Sequence, residues 1–223
     1  TDTQKKIICN SRWDITSELV SKINSCDAPP PVFLSGSAIG YYGNQGDKLV
    51  TEETPPHNEF THELCAKWET IAQSVDQAKT RVVTLRTGVV LTEKGGALGK
   101  MALPFKLGAG GTLGSGSQYL AWIHLQDMVR AISFLLENST CSGAFNLTAP
   151  EPVTNKEFSK ALAKSLNRPC LFNVPGFVMK VAMGESSTMI LEGQRVIPQK
   201  LTTAGFSFEF PSIDEALSDI YSA

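Results

Sequence analysis

Apolar residues at Ile7, Ile8, Ile15, Leu19, Val20 and Ile23 recur at spacings of three, four and seven, which predicts one amphipathic helix over about 4–25. Cys26-Asp-Ala-Pro-Pro-Pro31 ends it, because proline brings no N–H to continue the ladder. Val32-Phe-Leu-Ser35 is a short apolar run closed by small residues, the pattern of a buried strand entering a turn. A polar stretch with Gly43, Gly46 and Pro55-Pro56 leads to a second helical pattern over about 58–78. Arg81-Val-Val-Thr-Leu-Arg86 then reads as a second strand that closes at Thr87-Gly88. Residues about 95–118 are glycine-rich around Met101–Leu107. A helix over about 126–138 and a strand near Gly143–Leu147 follow. Thr154 with Glu157 forms a capping-box start for a helix running to about Leu166. Short helices near Pro175–Met183 and Ser187–Pro198 and a terminal one at about 212–221 complete the pattern.

Short apolar strands separated by helices predict a parallel sheet covered on both faces. In such sheets ligands sit at the carboxyl ends of the strands. The strand ends here read Ser35-Gly36-Ser37 and Thr87-Gly88, which suits either a ligand crevice or tight strand-to-helix turns.

Composition narrows the function classes. A net charge of -2 gives no broad attraction to nucleic acid, and no basic run is interleaved with aromatics. A small molecule is the expected partner. No apolar run approaches the ~20 residues of a membrane-spanning helix, and Thr1–Lys6 does not open like a signal peptide. Five cysteines without a C-x-x-C pair argue against a disulfide framework or a zinc site and fit a reducing cytoplasm, each cysteine being read as a small buried hydrophobe. Neither a phosphate loop (G-x-x-x-x-G-K-[ST]) nor a nucleophile elbow (G-x-S-x-G) is present. The chain opens inside a helical pattern, so Thr1 is expected not to be the natural start.

Several strings together resemble the extended short-chain dehydrogenases/reductases: Phe33-Leu-Ser-Gly-Ser-Ala-Ile-Gly-Tyr-Tyr-Gly43, Leu85-Arg-Thr-Gly-Val-Val90 and Trp122-Ile-His-Leu-Gln-Asp127. More narrowly, Gly40-Tyr-Tyr-Gly43, Asn58-Glu-Phe60, Lys67-Trp-Glu69, Gly114-Ser-Gly116 and Gly193-Gln-Arg-Val-Ile-Pro198 resemble the epimerase-like subgroup typified by bacterial YfcH. The resemblance implies an α/β, Rossmann-like, doubly wound parallel sheet, truncated at its N-terminal side, with a small, mostly helical C-terminal domain. Residues 1–150 would be a partial NAD(P)-binding domain, and 151–223 a substrate-side region with the small domain at about 174–221.

Two departures stand out. The family's pyrophosphate-binding unit, a strand leading into a G-x-x-G-x-x-G turn at a helix N-terminus, is not read among these residues. The 223 residues alone are therefore expected to bind dinucleotide weakly. Gly108-Ala-Gly-Gly-Thr-Leu-Gly114 lacks a preceding strand and reads as a substrate-side loop. The family's Y-x-x-x-K pair is also missing, and Thr61 and Cys65 stand at its two places when Glu69 anchors the helix.

The resemblance makes Ser37 the serine whose hydroxyl hydrogen-bonds a substrate carbonyl or alcohol and polarises its oxygen, against a turn-capping role. It makes Tyr42 a proton donor, against a packed aromatic. Arg12, Ser35, Gly36, Arg86, Gly88, Val89 and Val90 fall on the cofactor side, and Gln118, Gly114 and His124 on the substrate side. His124 is alternatively structural, holding Asp127 at the start of a helix. The implied cofactor is NADP or NAD, and the implied activity that of an epimerase or oxidoreductase acting on a sugar nucleotide or small carbonyl compound. The alternative is a non-catalytic NAD(P)-binding sensor or scaffold. Helices 4–25 and 58–78 correspond to those through which family members form homodimers.

Overall fold

The computed structural model describes residues 1–184 and 192–221. Helix α1 (Asp2–Asn24) leads into strand β1 (Val32–Ala38), a 3-10 turn at Ile39–Tyr42 and the short strand β2 (Leu49–Val50). Next come α2 (Phe60–Gln73), β3 (Arg81–Thr87), β4 (Val89–Leu91) and α3 (Gly96–Lys106). Strands β5 (Gly111–Leu113), β6 (Tyr119–Leu120) and β7 (Trp122–His124) precede α4 (Leu125–Glu137) and β8 (Gly143–Leu147). The remainder is β9 (Val153–Thr154), α5 (Asn155–Ser165), β10 (Phe172–Val174), α6 (Gly176–Met183), β11 (Arg195–Val196), α7 (Gln199–Thr203) and α8 (Ile213–Tyr221).

The centre is a parallel, Rossmann-like sheet of three strands in the order β1-β3-β8. Partners across parallel strands share a face, so the register fixes rows of side chains. Phe33 pairs with Val82, and their row meets Val20 of α1 and Ala72 of α2. On the opposite face Val83, Leu85, Phe145 and Leu147 pack on Ala131 and Leu135 of α4 and on Leu201 and Phe206 from the C-terminal part. A third apolar cluster joins Leu98 and Phe105 of α3, Phe158 and Leu162 of α5, and Ile213 and Leu217 of α8 around Trp122.

Most elements fall where the hydrophobic pattern puts them, including the Thr154–Glu157 capping box on α5. Four features differ. The helix expected over 58–78 ends at Gln73, where Ser74 caps it and turns follow. The glycine-rich 95–118 stretch contains the helix α3, with its two opening glycines at positive φ. Of the helix expected near 187–198, residues up to 191 lie outside the described residues, and Arg195–Val196 is a strand paired with Leu49–Val50. Cys26 is exposed and Cys170 half-exposed, whereas Cys9, Cys65 and Cys141 are buried; all five thiols are free.

Candidate active site

Two rows beyond Phe33 and Val82 on the same sheet face, the row is polar: Ser37 pairs with Arg86, and Arg86 with Asn146, one residue from each of the three strand ends. Burying such groups costs several kcal/mol unless each finds a partner, so the row demands acids and hydroxyls facing it. They arrive from three elements. On α2, Cys65, Glu69 and Ala72 form the buried stripe, which puts a carboxylate over the row. The turn after β1 brings Tyr42, and the loop after β2 brings Glu52.

Arg86 and Glu69 form a bidentate pair, Nε to Oε1 and Nη2 to Oε2, both at 2.8 Å. Arg86 Nη1 donates to the Tyr42 hydroxyl at 3.0 Å and to the Glu52 carbonyl at 3.4 Å. Tyr42 donates in turn to Asn146 Oδ1 at 2.6 Å, and Ser37 donates to Glu69 Oε1 at 2.6 Å. Asn146 Nδ2 ends the chain on the Ile197 carbonyl at 3.0 Å. The Glu52 carboxylate accepts from the backbone of Asn146 and of Lys200, joining the strand end to α7. Among the described residues only Thr84 Oγ1, one row back, is a buried side-chain polar atom without a partner.

The electrostatics follow from this enclosure. Burial works against the Arg86 charge, but the bonds to Glu69 and the neighbouring Tyr42 outweigh it and hold the guanidinium firmly protonated. Tyr42 is fully buried, and burial pushes its phenol up to about 12 despite Arg86 beside it. Burial likewise pushes the Cys65 thiol, which lies beside Ser37 and Ala38, up to about 11. A Cβ on Gly40 would stand 3.2 Å from Thr61 Cβ and 3.8 Å from Cys65 Sγ. The turn therefore rests against the two α2 positions that the family resemblance gives to tyrosine and lysine. Tyr41 covers the site, its ring centroid 3.4 Å from the Arg86 guanidinium carbon and its edge against His62.

The other sequence-derived candidates are spread around this array. Ser35 is buried one row back, and Gly36 faces the Trp68 ring. Arg12 lies over Trp68 and donates through Nη1 to the Ile8 carbonyl and Ser11 hydroxyl. The N–H groups of Gly88 and Val89 are taken by Leu147 and Ala121, and β4 pairs with β7 through Val89 and Val90. A Cβ on Gly88 would stand 2.7 Å from the Ala121 carbonyl oxygen, so close strand approach is what requires this glycine. Gly114 donates its N–H to Val174 of β10, Gln118 Nε2 closes the loop on the Leu113 carbonyl, and the Gln118 carbonyl accepts from Asn155 N at the start of α5. His124 is remote from Ser37 in the hydrogen-bond network: its Nδ1 accepts from Gln126 N as the cap of α4, and its Nε2 lies 3.4 Å from Asp219.

Glu69, Asn146 and Glu52 were missed as site residues by sequence reasoning. For Glu69 a signal existed, since an acid in the apolar stripe of a helix must have a buried partner. Among the described residues no cluster of His, Cys, Asp or Glu is arranged to hold a metal ion.

The model for the NAD dependent epimerase/dehydratase family matches residues 2–148. The chain belongs to that family. Residues 174–220 match a domain of unknown function, DUF1731. The Mycobacterium bovis epimerase family protein Mb2239 is 42% identical over 214 residues, covering 96% of this chain and 70% of that protein. The Bacillus subtilis epimerase family protein YfhF is 39% identical, covering 99% of this chain and 73% of its own length. Among solved structures, human epimerase family protein SDR39U1 (isoform 2) with NADPH superposes with a TM-score of 0.95 at 34% identity, over 100% of this chain and 76% of that one. A nucleoside-diphosphate sugar epimerase from Corynebacterium glutamicum gives 0.82 at 27% identity, over 99% of this chain and 44% of that one. In this epimerase-family chain, the strings that carry the resemblance meet in space: Gly193–Pro198 lies along Gly43–Glu52, with Gln194 Nε2 on the Gly43 carbonyl and Ile197 N on Val50.

Proposed function

We propose that this chain carries the strand-end and substrate side of an NAD(P)-dependent epimerase or oxidoreductase for a sugar nucleotide or small carbonyl compound. The observation that supports it is the Ser37–Arg86–Asn146 row at the carboxyl ends of three parallel strands, where such folds bind ligands. Residues 1–150 supply the cofactor side and 151–223 the substrate side. Ser37 contacts the ligand, and half-buried Val89 and Val90 border the nicotinamide. Arg12 fits an anionic group: only its Nη1 is bonded within the described residues, which leaves Nε and Nη2 open to a phosphate. The cofactor, NADP(H) or NAD(H), supplies hydride chemistry when bound. A homodimer through α1 fits the exposure of Ile7, Ile15 and Leu19.

A second reading, cofactor binding without turnover, draws support from Tyr42. Its phenol is held up to about 12 by burial and its proton is committed to Asn146, so it is a poor proton shuttle near neutrality.

Fluorescence titration of the full-length protein with NADPH and NADH tests the first reading. We expect micromolar binding of one of them, weakened roughly tenfold by Arg12→Ala. Binding of neither would sink it. Binding without turnover over a panel of sugar nucleotides would favour the second reading.

A further inference from the structure

The direction of the hydrogen bonds in the buried array bears on what ligand the site accepts. Ser37 Oγ is 2.6 Å from Glu69 Oε1, and a carboxylate can only accept. The serine proton is therefore committed to Glu69. Glu69 has no freedom to release it, because both its oxygens are fixed by the bidentate Arg86 pair. Arg86 is itself held on its other side by Tyr42, whose proton goes to Asn146, whose amide goes to the Ile197 carbonyl. The two hydroxyl hydrogens of the array, those of Ser37 and Tyr42, thus each have an assigned acceptor. Cys65 also lies within hydrogen-bonding reach of Ser37, but burial keeps it a thiol, whose sulfur is too weak an acceptor to draw the serine proton from the Glu69 carboxylate. Ser37 is thus left with lone pairs and no proton to offer.

We infer that Glu69 is a positioning residue that sets Ser37 as a hydrogen-bond acceptor, so that the site takes a ligand hydroxyl in preference to a carbonyl. The inference deepens the proposed function, and rests on it only in placing the ligand at the strand ends. It reverses the polarity expected for Ser37 from the family resemblance, in which the serine donates to a substrate oxygen. Turning the hydroxyl toward a carbonyl means breaking a charge-assisted bond inside a closed site, a handicap of roughly ten- to hundredfold in affinity. The alcohol form of the substrate is accordingly the one the resting site recognises.

Proton NMR of the full-length protein tests both halves. A slowly exchanging Ser37 hydroxyl resonance is expected, absent in Ser37→Ala and lost to fast exchange in Glu69→Gln, but retained in Tyr42→Phe. Ser37→Ala leaves the Glu69–Arg86 pair intact, so the assignment survives even if Glu69→Gln folds poorly. Fast exchange of that proton in the wild-type protein would overturn the positioning role. The ligand preference is read from the Ser37 amide shift with NADP+ present, using 2-propanol and acetone as a matched hydroxyl and carbonyl pair. 2-Propanol should act at about tenfold lower concentration, and the preference should vanish in Ser37→Ala. Equal effects, a preference for acetone, or no shift from either compound would overturn the hydroxyl preference. An absence of any NADP+-induced shift would instead count against the cofactor reading, while the hydroxyl-proton result would still decide the role of Glu69.

Discussion

Two buried polar clusters in this chain use the same side-chain types for opposite ends. The strand-end array of Ser37, Glu69, Arg86, Tyr42 and Asn146 joins side chains to one another, and its carboxylate faces a guanidinium in a buried row. The cluster at the start of α4 joins side chains to backbone. Asp127, fully buried, accepts from Glu209 N and Phe210 N at 2.9 Å each, while Arg130 reaches it from a half-exposed position. His124 caps α4, packs its ring on Phe210 and meets the exposed Asp219 of α8. A carboxylate spent on backbone N–H groups fixes where the chain runs. One spent on a guanidinium and a hydroxyl fixes which way protons point. The first is an anchor for the C-terminal segment, and the second is the array we propose as the ligand site.

That distinction predicts unequal costs. Arg86→Ala removes the cation paired with Glu69 and strands a buried carboxylate, so we expect a loss of about 3–5 kcal/mol in urea unfolding at neutral pH. Asp127→Asn keeps one acceptor oxygen and leaves Arg130 free to turn to water. A loss of about 1.5–3 kcal/mol is expected, with faster hydrogen exchange confined to the amides of Glu209 and Phe210. If Asp127→Asn cost more than Arg86→Ala, or loosened the strand ends, the two clusters would not be separable. Gly88→Ala sharpens the boundary between them. Its new methyl would meet the Ala121 carbonyl oxygen at 2.7 Å and Thr148 Cγ2 at 3.0 Å, both in ordered structure. A loss of about 1–3 kcal/mol by the same unfolding measurement is expected, and a neutral result would mean the β4–β7 pairing yields easily.

The anchor was more legible in the sequence than the site. Asp127 announces itself as an acid in the first turn of a helix, and the strand-helix pattern places α4 without ambiguity. Its backbone partners could not be foreseen, because they come from residues more than eighty positions away and carry no side-chain signature. For the site, Ser37 and Arg86 were visible as strand-end residues, but their mutual register was not, since it depends on how β1 and β3 align. Glu52 and Asn146 sit in stretches that read as loop and strand, and only the fold brings them together. The resemblance to a known family supplied the location of Ser37, whereas the direction of its hydrogen bond exists only in three dimensions. The helix α3 was hidden for a local reason: glycines at its start and Pro104 within it suppress helix propensity, and burial of Leu98, Ala102 and Phe105 overrides that deficit.

The smallest expected effect concerns the anchor's histidine. Burial lowers the His124 pKa from its ordinary value of 6.5, an effect that the carboxylates of Asp219, Asp127 and Glu209 oppose without reversing. A depressed folded value means the unfolded chain binds the proton first as pH falls. The stability contributed by neutral His124 is therefore full above about pH 6.5, and it is lost progressively as pH falls through the lower folded value. Thermal unfolding followed between pH 7.5 and 5 should show this decline, and His124→Gln, which removes the titrating group, should flatten it. A decline of the same steepness in His124→Gln would assign the acid sensitivity to carboxylates elsewhere. A rise in stability toward pH 5 would mean that the attraction of Asp219 outweighs burial. In that case His124 would be charged in the folded chain and would belong with the ion pairs, like Arg86, rather than with the anchor.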